Sequence, residues 1–526
     1  MANKPPDRRL SNRALRRRMV ELEATVQSQA MLIEKLRIQL ARLKRMQFGS
    51  SSEQLAREIT QLELTLESLG AEAAPDAAQS PVGEDEPEPD PSTAQSRHPG
   101  RKPLPAHLPR EDIRHLLGPH DQDCRCQVCG GTLRRAGKDE ITEQLEWVPG
   151  HLKVLRHLRP KYSCTRCNAM AMPAGASRPI DRGLPGPGLL AHVSTSKFAD
   201  HLPLYRQSQI LARQGIELER STLTDWVGAA HRLLAPLARE LSRHVLSANK
   251  LHADDTPVPV LAPGLGRTKI GRLWGYVRDE RASQGKIPPA VWFCYSADRK
   301  AIRPVEHLST FKGILQADGY AGFDQLYERG SIQEAACWAH VRRKFFEIHQ
   351  ATASPLAQEA LDRIGELYGI EGEIRGQPPD VRQPVRQARA GPKVDALHRW
   401  FLTTLRRVPE KSALALAIRY ALVRWEALTR FIQDGTVEVD NNTCERELRA
   451  VAMGRKNYMF MGSDRGGERA ATMYSLIGTC KLNGIDPEAY LRYVLARIND
   501  HKINALAELL PWNVAPLLTE ETRQAA

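Results

Sequence analysis

The texture of the sequence changes at Lys250, and this change constrains the fold more than any other feature. Before it, apolar residues recur at helical spacing. After it come three short β-rich runs, Leu251 to Leu261 (LHADDTPVPVL), Arg272 to Arg278 (RLWGYVR) and Ala290 to Ser296 (AVWFCYS), separated by Gly, Pro and charged turns. Three strands in succession predict an antiparallel meander. A short helix around Arg303 to Leu308 is expected next, then an apolar strand, Gly313 to Ala317, ending in Asp318, then a strand at Ala335 to Trp338.

A meander followed by helix-connected strands is the outline of an RNase H-like mixed sheet. The 526 residues imply several structural units, so the chain reads as multidomain α+β. In that layout Asp254 falls within the first strand and Asp318 at the end of the fourth, so two carboxylates can lie side by side on neighbouring strands. Like charges that close repel unless cations lie between them. Two divalent ions roughly 3.5 to 4 Å apart, bridged by acids, serve in-line phosphoryl displacement. A third carboxylate is then needed from a helix on the sheet, and Glu445 in the run Asp440-Asn441-Asn442-Thr443-Cys444-Glu445-Arg446 is the candidate. Hard oxygen ligands and a phosphate substrate favour magnesium or manganese. Each acid also has a structural alternative: Asp254 and Asp255 as a solvated strand end, Asp318-Gly319 as a turn, and Asn442 with Glu445 as a capping box.

Nine cysteines are an odd number, which argues against a disulfide framework. Cys126 and Cys129 form one CxxC, and Cys164 and Cys167 a second, resembling two zinc knuckles. Thiolates two residues apart on a tight turn bind one ion from the same side, and a second such turn completes a tetrahedron. Four protein ligands leave no open position, so this zinc would be structural. Cys124 is a spare thiol nearby.

Lys and Arg total 75 against 62 Asp and Glu, a net charge of +13. From Ala71 to Ser96 there are seven acids, five prolines and no Lys or Arg, a composition that cannot bury enough apolar surface to fold. Without those acids the rest carries +20, which points to a polyanionic partner. Arg97 to Pro103 is a short basic stretch. Residues Leu15 to Leu43 carry a heptad interrupted by Gln29, and Leu55 to Leu69 continue at helical spacing, so a coiled coil or a helical hairpin is expected. From Leu184 to Leu237 the pattern is helical, with Gly215 breaking two helices and Ser221 capping a helix from Thr222 to Leu234, an arrangement like a helix-turn-helix. No apolar run reaches the roughly 18 residues of a membrane span, and the basic N-terminus lacks the apolar stretch of a signal peptide. A soluble cytoplasmic protein is expected.

The segments LHADDTPVPVL, LQADGYAGFDQLY, EAACWAHVRRKFFEIH, VDNNTCERELR and GRKNYMFMGSDRGGERAATMYSLI, with KYSCTRC and KFADHLPLYRQSQI upstream, together resemble the insertion sequence 66 transposases. The resemblance implies a DDE transposase with an RNase H-like core, the triad Asp254, Asp318 and Glu445 holding two magnesium or manganese ions, and a helical insertion before the last acid. Where the family pattern usually has Glu, this chain has Asp255, which leaves that residue a possible ligand. The layout expected is a helical coiled-coil region at 1–70, a linker at 71–96, a zinc segment at 97–180 and a DNA-binding helical region at 181–245. The core follows at 246–350 and 436–500, split by the insertion at 351–435, with a tail at 501–526. The insertion contains Trp400, Trp425 and a basic loop from Arg375 to Lys393. Arg342, Arg343, Arg446, Arg449, Arg455, Lys456 and Arg465 are candidates for phosphate contacts. The implied partners are terminal inverted repeats and target DNA, a second copy of the chain, and accessory proteins of the element, with the protein at the bacterial nucleoid. The rivals are a DNA-binding regulator with an inactive core and a nuclease that releases ends without joining them.

Overall fold

The structure, a computed structural model, describes residues 31–32, 34–39, 104, 108–116, 125–126, 128–148, 150–181, 183–262, 264 and 266–525. Residues 31–32 and 34–39 are helical. The rest of the heptad, the acidic stretch Ala71 to Ser96, the basic stretch Arg97 to Pro103 and Cys124 lie outside the described residues. The chain forms mixed α+β structure divided into two compact units. One is built of Lys102–Ala336, Gly376–Pro379 and Thr436–Ala526, and the other of Cys337–Arg375 and Asp380–Gly435.

In the first unit, strands β1 (Arg110–Arg114), β2 (Leu133–Arg135), β3 (Glu140–Val148), β4 (His151–Arg159), β5 (Tyr162–Cys164) and β6 (Met170–Ala171) form two small sheets, ordered β1-β4-β3 and β2-β5-β6. Helices α1 (Pro187–Phe198), α2 (Leu204–Arg213) and α3 (Arg220–Leu246) follow. α1 is apolar on most sides and correspondingly buried, with Leu189, Leu190, Val193 and Phe198 in the core. Gly215, at φ +79°, separates α2 from α3 as expected. The predicted cap at Ser221 does not form. The N-cap is Glu219, with no side-chain cap bond, and the helix continues past Pro236 to Leu246. Its apolar face, Leu223, Val227, Leu234, Leu237, Leu241 and Val245, keeps helical spacing throughout, and burial of that face outweighs the roughly 3 kcal/mol that an interior proline costs.

The main sheet comprises β7 (Lys250–Ala262), β8 (Arg267–Arg278), β9 (Ala290–Ser296), β10 (Gly313–Ala317) and β11 (Ile332–Ala335), with α4 (Ile302–His307) and α5 (Asp324–Glu328) in the connections. The spatial order is β11-β10-β7-β8-β9. β7, β8 and β9 are antiparallel, while β10 runs parallel to both β7 and β11. β10 pairs with β7 only as far as Ala253. Beyond that point β7 carries Pro257 and Pro259, whose missing N–H groups would face the side that β10 has left. Their carbonyls on that side accept from the Arg455 guanidinium and from the Met461 amide.

The second unit is helical: α6 (Trp338–Thr352), α7 (Pro355–Ile374), α8 (Pro379–Val385), a π-helical turn at Arg386–Ala390, α9 (Gly391–Leu405), α10 (Ala413–Val423) and α11 (Trp425–Gln433). The strand predicted at Ala335 to Trp338 is corrected here. The strand is β11, ending at Ala335, and Trp338 opens a helix. Its ring is buried in this unit, with Nε1 donating to Leu428 O at 2.8 Å. The predicted basic loop from Arg375 to Lys393 is also corrected, because most of it is helical and two of its cations face inward. Arg386 makes two 2.7 Å bonds to the Glu371 carboxylate and donates to Phe431 O at 2.9 Å. Arg382 is 3.6 Å from the same carboxylate. The Glu371 carboxylate and the carbonyls of Phe431 and Asp434 take the Arg386 guanidinium, in a stretch whose composition left it open to DNA or to solvent.

The chain then returns to the sheet. Buried Lys250 donates to Thr436 O at 2.7 Å, and Gln316 exchanges bonds with the backbone of Glu438 at 2.6 and 3.2 Å. Helices α12 (Asn442–Tyr458), α13 (Asp464–Leu482), α14 (Pro487–Arg497) and α15 (Pro511–Ala525) complete the unit. α13 covers the edge strand β9. The buried hydroxyls of Ser475 and Thr479 accept from the amides of Phe293 and Val291 at 2.8 and 3.1 Å, so that edge presents no unpaired row there. No helix among the described residues is long and apolar enough to cross a membrane.

Candidate active site and cysteine cluster

In β7, Asp254 pairs with Gly275 of β8, and Asp255 with Trp274. Successive strand residues point to opposite faces, so the two aspartates part. Asp254 faces the side covered by α12. A Cβ built on Gly275 would meet Cys444 Sγ and Leu448 Cδ2 at 3.5 Å and Phe293 at 3.3 Å, so glycine at this position lets the helix lie close over the strand. Cys444 Sγ reaches Gly275 O at 3.4 Å. Asp255 faces the other side, where Arg272 and Arg299 pair with it at 3.0 and 2.7 Å and Arg299 lies over the Tyr320 ring. Two guanidinium groups thus occupy Asp255, and the carboxylate left for the α12 side is Asp254.

The parallel register sets Ala317 of β10 level with Ala253 of β7. β10 and this pairing end there, one residue before Asp318 on one strand and before Asp254 on the other. Asp318 Oδ1 also accepts from the Tyr320 amide at 3.2 Å, so its turn role and its place beside Asp254 coexist. Glu445 lies in the first turn of α12. The capping-box alternative fails on the N-cap, which is Asn441. Asn442 instead bonds Asp440, through its amide at 3.1 Å and Nδ2 at 2.8 Å.

Asn441 was not singled out by sequence, although adjacent asparagines before an apolar-periodic run are an N-cap signal. It is fully buried. Its Nδ2 donates to Ala253 O at 2.8 Å, and its Oδ1 lies 3.0 Å from His252 Nδ1. Since the amide nitrogen is donating, Oδ1 accepts, which assigns the proton to Nδ1 of a neutral imidazole. Burial, with Lys250 nearby, pushes the His252 pKa down to about 3. The start of the Glu445 helix is therefore clamped to the strand residues immediately before Asp254.

The electrostatics report the same convergence. Burial pushes the Asp254 carboxyl up to about 8, with the charge of Asp318 next, and those of Asp255 and Glu445 adding to it. The Asp255 amide, donating to Asp254 Oδ1 at 2.7 Å, pulls the other way. A buried carboxyl destabilised by neighbouring anions is the environment that a divalent cation relieves, and Asp254 stands in that environment.

The basic candidates separate. Arg446, Arg449, Lys456 and Arg465 are exposed on α12 and the start of α13. Arg455 is half-buried and holds Pro257 O, joining α12 to β7. Arg342 and Arg343 are exposed on α6, in the helical unit.

All four paired cysteines meet. Their sulfur atoms lie within 4.8 Å of one another, with Cys126–Cys167 at 3.5 Å and Cys129 at 3.3 Å from both Cys164 and Cys167. A tetrahedron with Zn–S near 2.3 Å has S–S edges of about 3.8 Å, so the cluster fits zinc with slight expansion. The two knuckles are built alike. The Gly130 amide donates to Cys126 O at 2.8 Å, and the Asn168 amide to Cys164 O at 3.0 Å. Both closing residues have positive φ, +68° and +56°, which glycine and asparagine tolerate best. Backbone amides of Cys167 and Arg166 pull the Cys164 thiol down to about 6, which favours the thiolate that binds metal.

Family models match along much of the chain. Residues 182–469 match the Transposase IS66 family and 475–512 the IS66 C-terminal element. Residues 123–168 match the zinc-finger binding domain of transposase IS66, and 35–113 the model described as Transposase C of IS166 homeodomain. Among curated proteins, the uncharacterized protein y4hP of Sinorhizobium fredii is 40% identical over 91% of this chain and 88% of its own length. The uncharacterized protein y4jD of the same organism is 40% identical over 94% of this chain and 97% of its own. The zinc-fitting cysteines fall within the matched zinc-finger segment and Asp254, Asp318 and Glu445 within the matched transposase segment, and the chain belongs to the IS66 family of transposases.

Proposed function

We propose that the protein cleaves DNA at the ends of a mobile element and joins the freed ends to a target, using an RNase H-like sheet. The observation that supports this reading is that parallel pairing of β10 with β7 ends one residue before Asp318 and Asp254, and that the charges of Asp318 and Glu445 both bear on the buried Asp254 carboxyl. The strand order, a three-stranded antiparallel meander flanked by two parallel strands, supports the RNase H-like assignment. Asp254, Asp318 and Glu445 are the residues that would hold a pair of magnesium or manganese ions. Such ions supply charge neutralisation at the phosphodiester and favour the ionised form of an attacking oxygen. The protein's part is positioning: the acids fix where the phosphate sits, and Arg446, Arg449, Lys456 and Arg465 contact neighbouring phosphates. Water cleaves the bond and leaves a 3′-hydroxyl, which then attacks a phosphodiester of the target and displaces a second 3′-hydroxyl. No covalent protein intermediate is formed. Arg342 and Arg343 of the helical unit would make phosphate contacts of their own, and the zinc knuckles with α1 to α3 would read the terminal inverted repeats. Pairing of two copies through the N-terminal heptad would bring two ends together, with accessory proteins of the element assisting.

The test is strand transfer with labelled element-end DNA and magnesium. Asp318→Asn and Glu445→Gln are expected to abolish joining and leave end binding within about twofold, because phosphate contacts dominate affinity. Joining that persists in either variant would remove the triad from the reaction. Release of ends without joining would favour a simple nuclease.

A further inference from the structure

α12 carries a stripe that leads away from the acids and ends in two exposed apolar residues the proposed reaction does not use. Arg446, Arg449, Met453 and Lys456 follow at three- and four-residue intervals along one helix face, and all are exposed. The helix ends at Tyr458, and the next two residues, Met459 and Phe460, are 66% and 38% exposed. Met459 holds φ +52° and ψ −43°, a conformation that residues with a Cβ avoid. It is fixed from both sides. Its amide donates to Arg455 O at 3.0 Å, the Met461 amide to Pro259 O at 2.8 Å, and the Leu261 amide to Met461 O at 2.9 Å. A methionine and a phenylalanine are thus held in solvent on a braced, strained turn at the end of a row of cations.

Two routes give the distance from this tip to the acids. Along α12, the fourteen residues from Glu445 to Met459 rise about 21 Å. Along β7, Val260 is bridged to Met461, and six strand residues back to Asp254 span about 20 Å. At 3.4 Å per step of duplex, that is roughly six base pairs. The cations between the two points supply the complementarity that names the occupant, a nucleic acid backbone running from the acids to the tip.

We propose that Met459 and Phe460 form an apolar wedge that stacks against unpaired or partly unstacked bases roughly six base pairs from the reacting phosphodiester, with Arg446, Arg449 and Lys456 on the intervening backbone. The inference rests on the DNA-processing reading above. It adds that this protein binds distorted DNA in preference to regular duplex, because apolar side chains gain contact with base faces only where stacking is opened.

The experiment uses the full-length protein and two probes, a short duplex and the same duplex with an internal unpaired bubble, followed by fluorescence anisotropy across a salt series. The variant combines Met459→Gly, which suits the positive φ, with Phe460→Ser. It should fold as the parent does, checked by thermal melting. Expected are a loss of about tenfold in affinity for bubble DNA, affinity for paired duplex changed by less than about twofold, and an unchanged salt slope, because no phosphate contact is removed. Arg449→Gln should instead weaken both probes alike and lower the slope by about one. Equal affinity of parent and variant for bubble DNA would overturn the wedge. So would a change in oligomeric mass by light scattering with bubble affinity retained, which would assign the tip, with nearby exposed Leu261 and Ile270, to contact with a second copy. If the parent binds neither probe, the DNA-processing reading fails as well.

Discussion

Replacing Asn441 by alanine tests the joint that brings the third acid to the sheet. The side chain is fully buried and makes two bonds, to Ala253 O at 2.8 Å and to His252 Nδ1 at 3.0 Å. Alanine removes both partners' contacts at once. An orphaned buried donor or acceptor costs about 1–3 kcal/mol, so the pair costs about 2–6 kcal/mol. For a unit of this size, each kcal/mol shifts Tm by about 2–4 °C, which puts the loss at about 4–24 °C. Calorimetry on Asn441→Ala beside Asn442→Ala provides the internal control. The Asn442 side chain bonds Asp440 in the same turn, and its removal should cost less than about 1 kcal/mol. His252→Leu shares a bond with Asn441→Ala, so the double variant should be non-additive by more than about 0.5 kcal/mol. In strand transfer, Asn441→Ala should raise the magnesium concentration needed for half-maximal rate, because Glu445 is held less firmly. Equal melting shifts for the two asparagines, or strict additivity with His252→Leu, would refute the clamp.

Two further outcomes follow from the site's electrostatics and the cysteine cluster. Asp254 is pushed from 3.8 up to about 8 in the folded protein. Between those values the folded state holds a proton that the unfolded state has released, so this group's contribution to stability falls as pH rises through that window. A divalent cation favours the ionised form, so the rise in Tm on adding magnesium should grow from about pH 6 to about pH 8 and flatten in Asp254→Asn; an equal magnesium shift at both pH values would contradict the shared acidic site. Separately, protein purified with zinc present should carry about one ion per chain, and Cys164→Ser should lose most of it, with the remaining paired thiols becoming reactive to a thiol reagent. Full zinc content in that variant would show that the ion is held elsewhere.

Much of the sheet was legible because strands announce themselves locally. The runs from Leu251, Arg272, Ala290 and Gly313 are short, apolar-rich and bounded by turn residues, and all four appear as strands, the second beginning five residues earlier at Arg267. Cysteine spacing likewise carries its geometry with it, since two residues between thiols on a tight turn leave few other arrangements. The errors lie where a distant partner decides. Arg382 and Arg386 read as loop residues open to DNA or to solvent until Glu371 is seen buried beside them. Trp338 read as strand until Leu428 O is seen taking its ring N–H. Ser221 read as a cap because nothing local signals that α3 begins two residues earlier and continues past Pro236.

The acids divide along the same line. Residue type and order were enough to nominate Asp254, Asp318 and Glu445, because strand ends and a helix start are local properties. Which of Asp254 and Asp255 faces the helix depends on strand parity together with what covers each face. Gly275, Cys444 and Leu448 lie on one side, and Arg272, Arg299 and Tyr320 on the other. Asn441 has no distinguishing mark in the chain. It becomes the link between helix and strand only when the segment after a long helical insertion returns to β7, because a buried amide needs partners that lie nearly 190 residues away in sequence. Short-range patterns therefore specify the elements and the reactive groups, while the relative placement of those groups comes from contacts that no local window contains.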